Sequence, residues 1–223
     1  SDCRDLNITG LTILHDTAKI LQNCHSVTIN DSNNVNYCSQ YFSKCHKIEM
    51  IDVAFDDDDT KYFKNCYDVN ILLSEYTTAK SVHNLRNCNS VQISTCGKNK
   101  ISKMINCENI TLDGHNLKNY VSKYLKNCKI IDISGTHIGD ITKLTHCEEL
   151  HIDVDHIYLI MDDNDDYHVD IQDISDMPNL RELHIHYEHS DFTLNEIMLY
   201  MDNEHTLNKR GIIVIYEENL TYF

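Results

Sequence analysis

The chain has 223 residues and a formal charge of -16, from 19 basic against 35 acidic side chains. Hydrophobic residues make up 41%, as in globular chains, and no apolar run approaches the length of a membrane-spanning helix. The acidic balance argues against nucleic-acid phosphates as a ligand, and the 10 cysteines include no C-x-x-C pair, so the paired-thiolate signature of structural zinc is missing.

In chain order the cysteines mark a repeat. The pattern Cys-x-x-apolar-x-apolar begins at Cys3, Cys24, Cys45, Cys66, Cys88, Cys107, Cys128 and Cys147, in steps of 21, 21, 21, 22, 19, 21 and 19 residues. The apolar pairs are Leu6/Ile8, Val27/Ile29, Ile48/Met50, Val69/Ile71, Val91/Ile93, Ile110/Leu112, Ile131/Ile133 and Leu150/Ile152. A ninth copy puts Leu180 in the cysteine position and continues with Leu183/Ile185. Three residues before the repeat start stands another apolar side chain: Leu21, Phe42, Phe63, Leu85, Met104, Leu125, Leu144 and Met177.

An apolar-x-apolar pair has period two and predicts a short strand with both side chains on one face. A step of 19–22 residues leaves room for one strand and a short helical or 3-10 return. A single unit of that size cannot bury its own apolar face, so neighbours must stack into a solenoid. The segments Asp16–Asn23, Thr78–Asn87 and Asn116–Asn127 are expected to be helical returns; the last places Leu117, Tyr120, Val121, Tyr124 and Leu125 at 3.6-residue spacing. A right-handed parallel β-helix, with several strands per coil, is the alternative architecture.

The stretch Cys128-Lys-Ile-Ile131-Asp-Ile133-Ser-Gly-Thr136-His-Ile138 resembles the leucine-rich-repeat consensus L-x-x-L-x-L-x-x-N/C-x-L, with cysteine replacing the first leucine. Cys147 to Ile157 and Leu180 to Ile185 follow the same pattern. The asparagine slot instead holds Ser32, Ser74, Cys96, His115, Thr136 and Asp155, and even Leu11 and Val53, which departs from a continuous asparagine ladder. The resemblance covers roughly residues 1–190. It implies an α/β leucine-rich-repeat solenoid of about nine repeats, with a curved parallel sheet on one face and short helices or 3-10 turns on the other. It also implies use as a scaffold or as the substrate-receptor part of a larger assembly.

The step from Cys147 to Leu180 is 33 residues, so residues 155–178 form an insertion carrying the acidic run Asp162-Asp163-Asn164-Asp165-Asp166. A second acidic run spans Asp56–Asp59. Both are expected to be solvated loops, since the glycine and closing glutamate of a calcium loop are absent. Residues 1–193 are expected to form the solenoid. Residues 194–223 should supply a helix over Leu194–Met201 and, after Gly211, a closing strand over Ile212–Tyr216.

Eight cysteines at one inward register position read as a stack of reduced thiols. Parallel same-face Cβ atoms stand about 4.8 Å apart, farther than a disulfide prefers. That implies a reducing, cytoplasmic or otherwise intracellular compartment. Cys38, on a return segment, is the thiol expected to be most exposed. Abundant Asn, Ile, Asp, Lys and Tyr with few alanines suit an AT-rich genome, such as that of a large DNA virus or a protist.

The outward positions are polar and collect Asp113, Asp132, Glu149, His151, Asp153, Glu182, His184 and His186 toward the C-terminal strands. We expect this face to bind another protein bearing a basic patch, with no nucleic-acid or membrane partner, no cofactor and no catalysis. The alternative is a metal-binding or carbohydrate-active β-solenoid. In that reading His151, Asp153, His184 and His186 would hold a divalent ion if the two histidine strands were neighbours. Asp113, Asp132 and Asp153 would be the acid/base candidates.

Overall fold

Ten strands lie side by side in one parallel sheet of order β1-β2-β3-β4-β6-β8-β9-β10-β13-β14. They are β1 (Asp5–Thr9), β2 (Ser26–Asn30), β3 (Lys47–Ile51), β4 (Asp68–Leu73), β6 (Ser90–Thr95), β8 (Asn109–Asp113), β9 (Ile130–Asp132), β10 (Glu149–Asp153), β13 (Glu182–Tyr187) and β14 (Ile213–Glu218). Two further parallel pairs stand apart from it: β5 (Ser81–His83) with β7 (Lys100–Ser102), and β11 (Ile157–Tyr158) with β12 (Val169–Asp170). This computed structural model describes residues 4–10, 19–30, 39–53, 59–64, 66–73, 81–83, 85, 87–95, 100–102, 104, 106–113, 125–133, 141–153, 157–158, 169–170, 174–187 and 207–218.

The repeat is what aligns the strands. The first apolar position forms one unbroken cross-strand column, Leu6, Val27, Ile48, Val69, Val91, Ile110, Ile131, Leu150, Leu183 and Val214. A slip of one residue on any strand would turn its apolar pair to water, so the register is fixed by burial. The second apolar position runs parallel to it, and both columns are buried from Val27 to Ile185. The 33-residue step does not interrupt the sheet: β10 and β13 are direct neighbours, with Leu150 opposite Leu183.

Behind the sheet the chain returns through short 3-10 turns, Lys19–Asn23, Ser39–Lys44, Asp59–Phe63 and Ile141–Lys143. These turns carry Leu21, Phe42, Phe63 and Leu144 into the core, and Leu85, Met104, Leu125 and Met177 are buried at the same repeat position. The segment Thr78–Asn87, expected to be helical, instead contains strand β5. Ser81–His83 runs beside Lys100–Ser102 of the next repeat, so backbone groups that a helix would pair internally are paired between rungs. Parallel pairing outside the main sheet is the property that distinguishes the β-helix alternative, and it occurs here locally.

An asparagine ladder does exist, but one residue before the cysteine and not in the expected slot. Asn106 Nδ2 donates to Asn87 Oδ1 at 3.2 Å, and Asn127 Nδ2 donates to Asn106 Oδ1 at 3.4 Å. Asn87 and Asn106 have φ of 57° and 58°, a left-handed conformation that asparagine tolerates better than most residues. They end the return and aim the chain into the next strand.

The described cysteines of the column, Cys24, Cys45, Cys66, Cys88, Cys107, Cys128 and Cys147, are buried free thiols. Cys45, Cys66 and Cys88 each donate Sγ–H at 3.8 Å to the carbonyl of Leu21, Phe42 and Phe63 in the preceding repeat. An aliphatic side chain at this position could not make that bond, which gives a reason for the cysteine that recurs there. Burial pushes the Cys45 thiol up to about 11 and the Cys66 and Cys147 thiols up to about 12.

The residue after the cysteine forms a second stack, on the exterior. His25, His46 and Tyr67 are stacked with ring centroids 4.5 and 4.6 Å apart. Farther along, the same position alternates in charge: Lys129 Nζ lies 2.6 Å from Glu108 Oε1, and Arg181 Nη1 lies 3.5 Å from Glu148 Oε2.

At the C-terminal end, Gly211 adopts φ 80° and opens β14, which pairs in parallel with β13 as the edge of the sheet. The expected closing strand thus runs over Ile213–Glu218. No helix among the described residues is long and apolar enough to cross a membrane. The acidic runs at 56–58 and 162–166, the helix expected at Leu194–Met201, most of Asn116–Asn127, and Cys3, Cys38 and Cys96 lie outside the described residues.

Candidate functional site

The middle outward position of successive strands forms a column that includes Thr111, Asp132, His151, His184 and Ile215. The next outward position places Asp153 opposite His186, and His186 opposite Glu217. The position before the middle one places Glu149 opposite Glu182. Three histidines therefore meet three glutamates on β10, β13 and β14.

Their side chains form one cluster. The His151 and His184 rings stack with centroids 4.0 Å apart and planes at 12°, and His186 lies 5.4 Å from His151. His151 Nε2 is 2.8 Å from Glu149 Oε1, and its Nδ1 is 3.2 Å from His186 Nε2. His184 Nδ1–H donates to Glu217 Oε1 at 2.8 Å, while His186 Nδ1 stands 3.4 Å from Glu217 Oε2. The hydrogen bond from His184, with the nearby His186 and His151, holds the Glu217 carboxyl below its ordinary value.

One atom in the cluster stands out. His184 is 9% exposed, and its Nε2 is buried without a hydrogen-bond partner. It faces Glu182 Oε2 at 3.7 Å and Glu149 Oε1 at 3.9 Å, both beyond hydrogen-bond reach. Two overlapping sets, Glu149/His151/His184 and His151/His186/Glu217, bring their donor atoms within 4.8 Å of one another.

The expected site residues are thus divided. Glu149, His151, Glu182, His184 and His186 come together. Asp132 lies opposite His151 on β9 and is half-buried. Asp153 is opposite His186 by backbone register, and its side chain is outside the described residues. Asp113 is exposed on β8 and pairs with Ser94, away from the cluster. Asp113 and Asp132 occupy different register positions, so the three aspartates do not form one row. Glu217 was not among the candidates, because it follows the repeat pattern's last copy. Alternation along β14 carries the signal: if Val214 and Tyr216 face inward, Glu217 faces outward beside His186.

At the other end of the same face the polar groups satisfy each other. Glu49 accepts from Thr28 Oγ1 and from Asn70 Nδ2, each at 3.1 Å. No protein-family model, curated protein or solved structure matches the chain.

Proposed function

We propose that the chain is a leucine-rich-repeat-type solenoid whose open strand face binds another protein through a basic patch. The observation that carries this reading is a ten-strand parallel sheet whose outward positions, among the described residues, are exposed or half-buried at every site but His184. Parallel sheets are ordinarily covered on both faces, and here the outward positions carry polar side chains in place of a second apolar layer. Asp5, Glu49, Asp68, Asp113, Asp132, Glu149, Asp153, Glu182 and Glu217 stand on those positions against Lys47 alone. Leu72, 37% exposed, adds a small apolar contact next to half-buried Ile51. The reading includes no catalysis.

A scaffold or a substrate receptor would use the face in the same way, with the Asp155–Met177 insertion as a second contact. Free thiols in the core fit a reducing, intracellular compartment. The test is an affinity pull-down with mass spectrometry, run with the wild type and with Asp132→Lys/His151→Glu. We expect one protein with a basic surface to be lost from the variant, and its affinity for the wild type to fall as salt rises. A captured protein that binds both chains equally, or whose affinity ignores salt, would move the interface to another surface.

A further inference from the structure

Hydrogen-bond arithmetic in the histidine cluster leaves a position for a cation. Glu217 fixes the first tautomer: His184 Nδ1–H donates to its Oε1, so in neutral His184 the Nε2 atom is a lone pair. Glu217 Oε2 stands 3.4 Å from His186 Nδ1, and His186 Nε2 stands 3.2 Å from His151 Nδ1, so the rings form one chain that ends on Glu149 through the 2.8 Å hydrogen bond of His151 Nε2. His184 Nε2 remains buried without a hydrogen bond, 3.9 Å from the same Glu149 Oε1.

A buried ring-nitrogen lone pair facing two carboxylate oxygens is repelled by both unless something positive lies between them. We propose that this spot is a divalent transition-metal site, with zinc as its simplest occupant, bound by Glu149 Oε1, His151 Nε2 and His184 Nε2. Two imidazoles and one carboxylate are a known donor set for zinc and leave a fourth position open. Glu182 Oε2, 3.7 Å from His184 Nε2, lies near enough to take that position, as would a water. Tetrahedral zinc with ligands at about 2.0–2.1 Å needs donor atoms about 3.3 Å apart, and the two observed separations bracket that value. Closing the site requires the stacked rings of His151 and His184 to tilt apart, so that both Nε2 atoms aim at one ion.

Glu217 and His186 do not touch the ion in this arrangement. Glu217 is a positioning residue, holding through its hydrogen bond the tautomer that exposes the His184 Nε2 lone pair, and His186 braces the His151 ring. A metal here would sit on the recognition face, tie β10 to β13 across the 33-residue insertion, and leave a coordination position directed outward.

Competition of the full chain against a chromophoric zinc chelator tests this. The wild type should take up one zinc per chain at this site. Glu149→Gln, which keeps the side-chain shape at a half-exposed position, should weaken binding at least about tenfold, and His184→Ala should abolish it. Glu217→Gln should weaken binding by about 10–100-fold without removing a ligand. Glu49→Gln, on the same face, should bind as the wild type does. Thermal melts with and without zinc give a second readout, with an upward shift in the wild type that is absent in Glu149→Gln. Absence of binding by the wild type, or equal affinity in the wild type and Glu149→Gln, would overturn the site.

Discussion

The inner and outer faces of the same strands carry the two side chains most often used to hold transition metals, and their surroundings set them on opposite courses. Inside, the thiols are spaced one per rung and buried, and those of Cys45, Cys66 and Cys88 donate to backbone carbonyls. Outside, the imidazoles of His151, His184 and His186 crowd within a few ångströms of Glu149 and Glu217, and one ring nitrogen has no hydrogen bond. Ligand chemistry depends on deprotonation and convergence more than on residue type. Burial keeps the Cys45, Cys66 and Cys147 thiols protonated, whereas the histidines and glutamates converge.

Thiol labelling should show the largest difference between the two faces. A thiol at about 12 has only ~1 in 10,000 molecules as thiolate at pH 8, against roughly a quarter for an ordinary cysteine. We expect Cys45, Cys66 and Cys147 of the native chain to resist a disulfide-exchange reagent, and to react together once the chain is unfolded in denaturant. Rapid native labelling at Cys66 or Cys147, read by peptide mass spectrometry, would make the inner column chemically active after all.

The next largest effect separates packing from the thiol itself. Phe63 is fully buried on its 3-10 turn and packs against Phe42 with ring centroids 6.3 Å apart. Phe63→Ala should cost about 3–5 kcal/mol in denaturant unfolding, from lost burial and the cavity left behind. Cys66→Ala removes one weak donor and one sulfur, and should cost only about 1–2 kcal/mol. Comparable losses in the two variants would show that the sulfur does more than fill its rung.

Much of this contrast was legible before the fold was known. The columns from Leu6 to Val214, and the buried aromatic and aliphatic side chains of the returns, follow from a period of two inside a period near 21. Placing His151-x-Asp153 against His184-x-His186 needed one further fact, that β10 and β13 pair directly, and the insertion between them hid it. Ser81–His83 was unreadable because three residues show no period, and its strand state depends on a partner one repeat away. Glu217 lay beyond the repeat, where alternation had to be carried across Gly211 with no cysteine to set the phase. The asparagines before the cysteines were visible in the sequence, but their role depends on a positive φ that residue type alone does not announce.

The smallest expected effect lies where the outer face is already satisfied. Glu49→Ala removes the acceptor for Thr28 Oγ1–H and Asn70 Nδ2–H, both half-buried. Because these donors keep access to water, they do not suffer the full penalty of burial without a partner. The loss should be about 0.5–1.5 kcal/mol by urea unfolding, severalfold below that of Phe63→Ala. Zinc affinity should be unchanged, since Glu49 and Glu149 stand strands apart on the sheet. A larger loss would mean that the outward carboxylates hold the sheet together. A small one leaves them free to serve a partner, and confines the electrostatic tension of this face to the end where glutamates meet imidazoles.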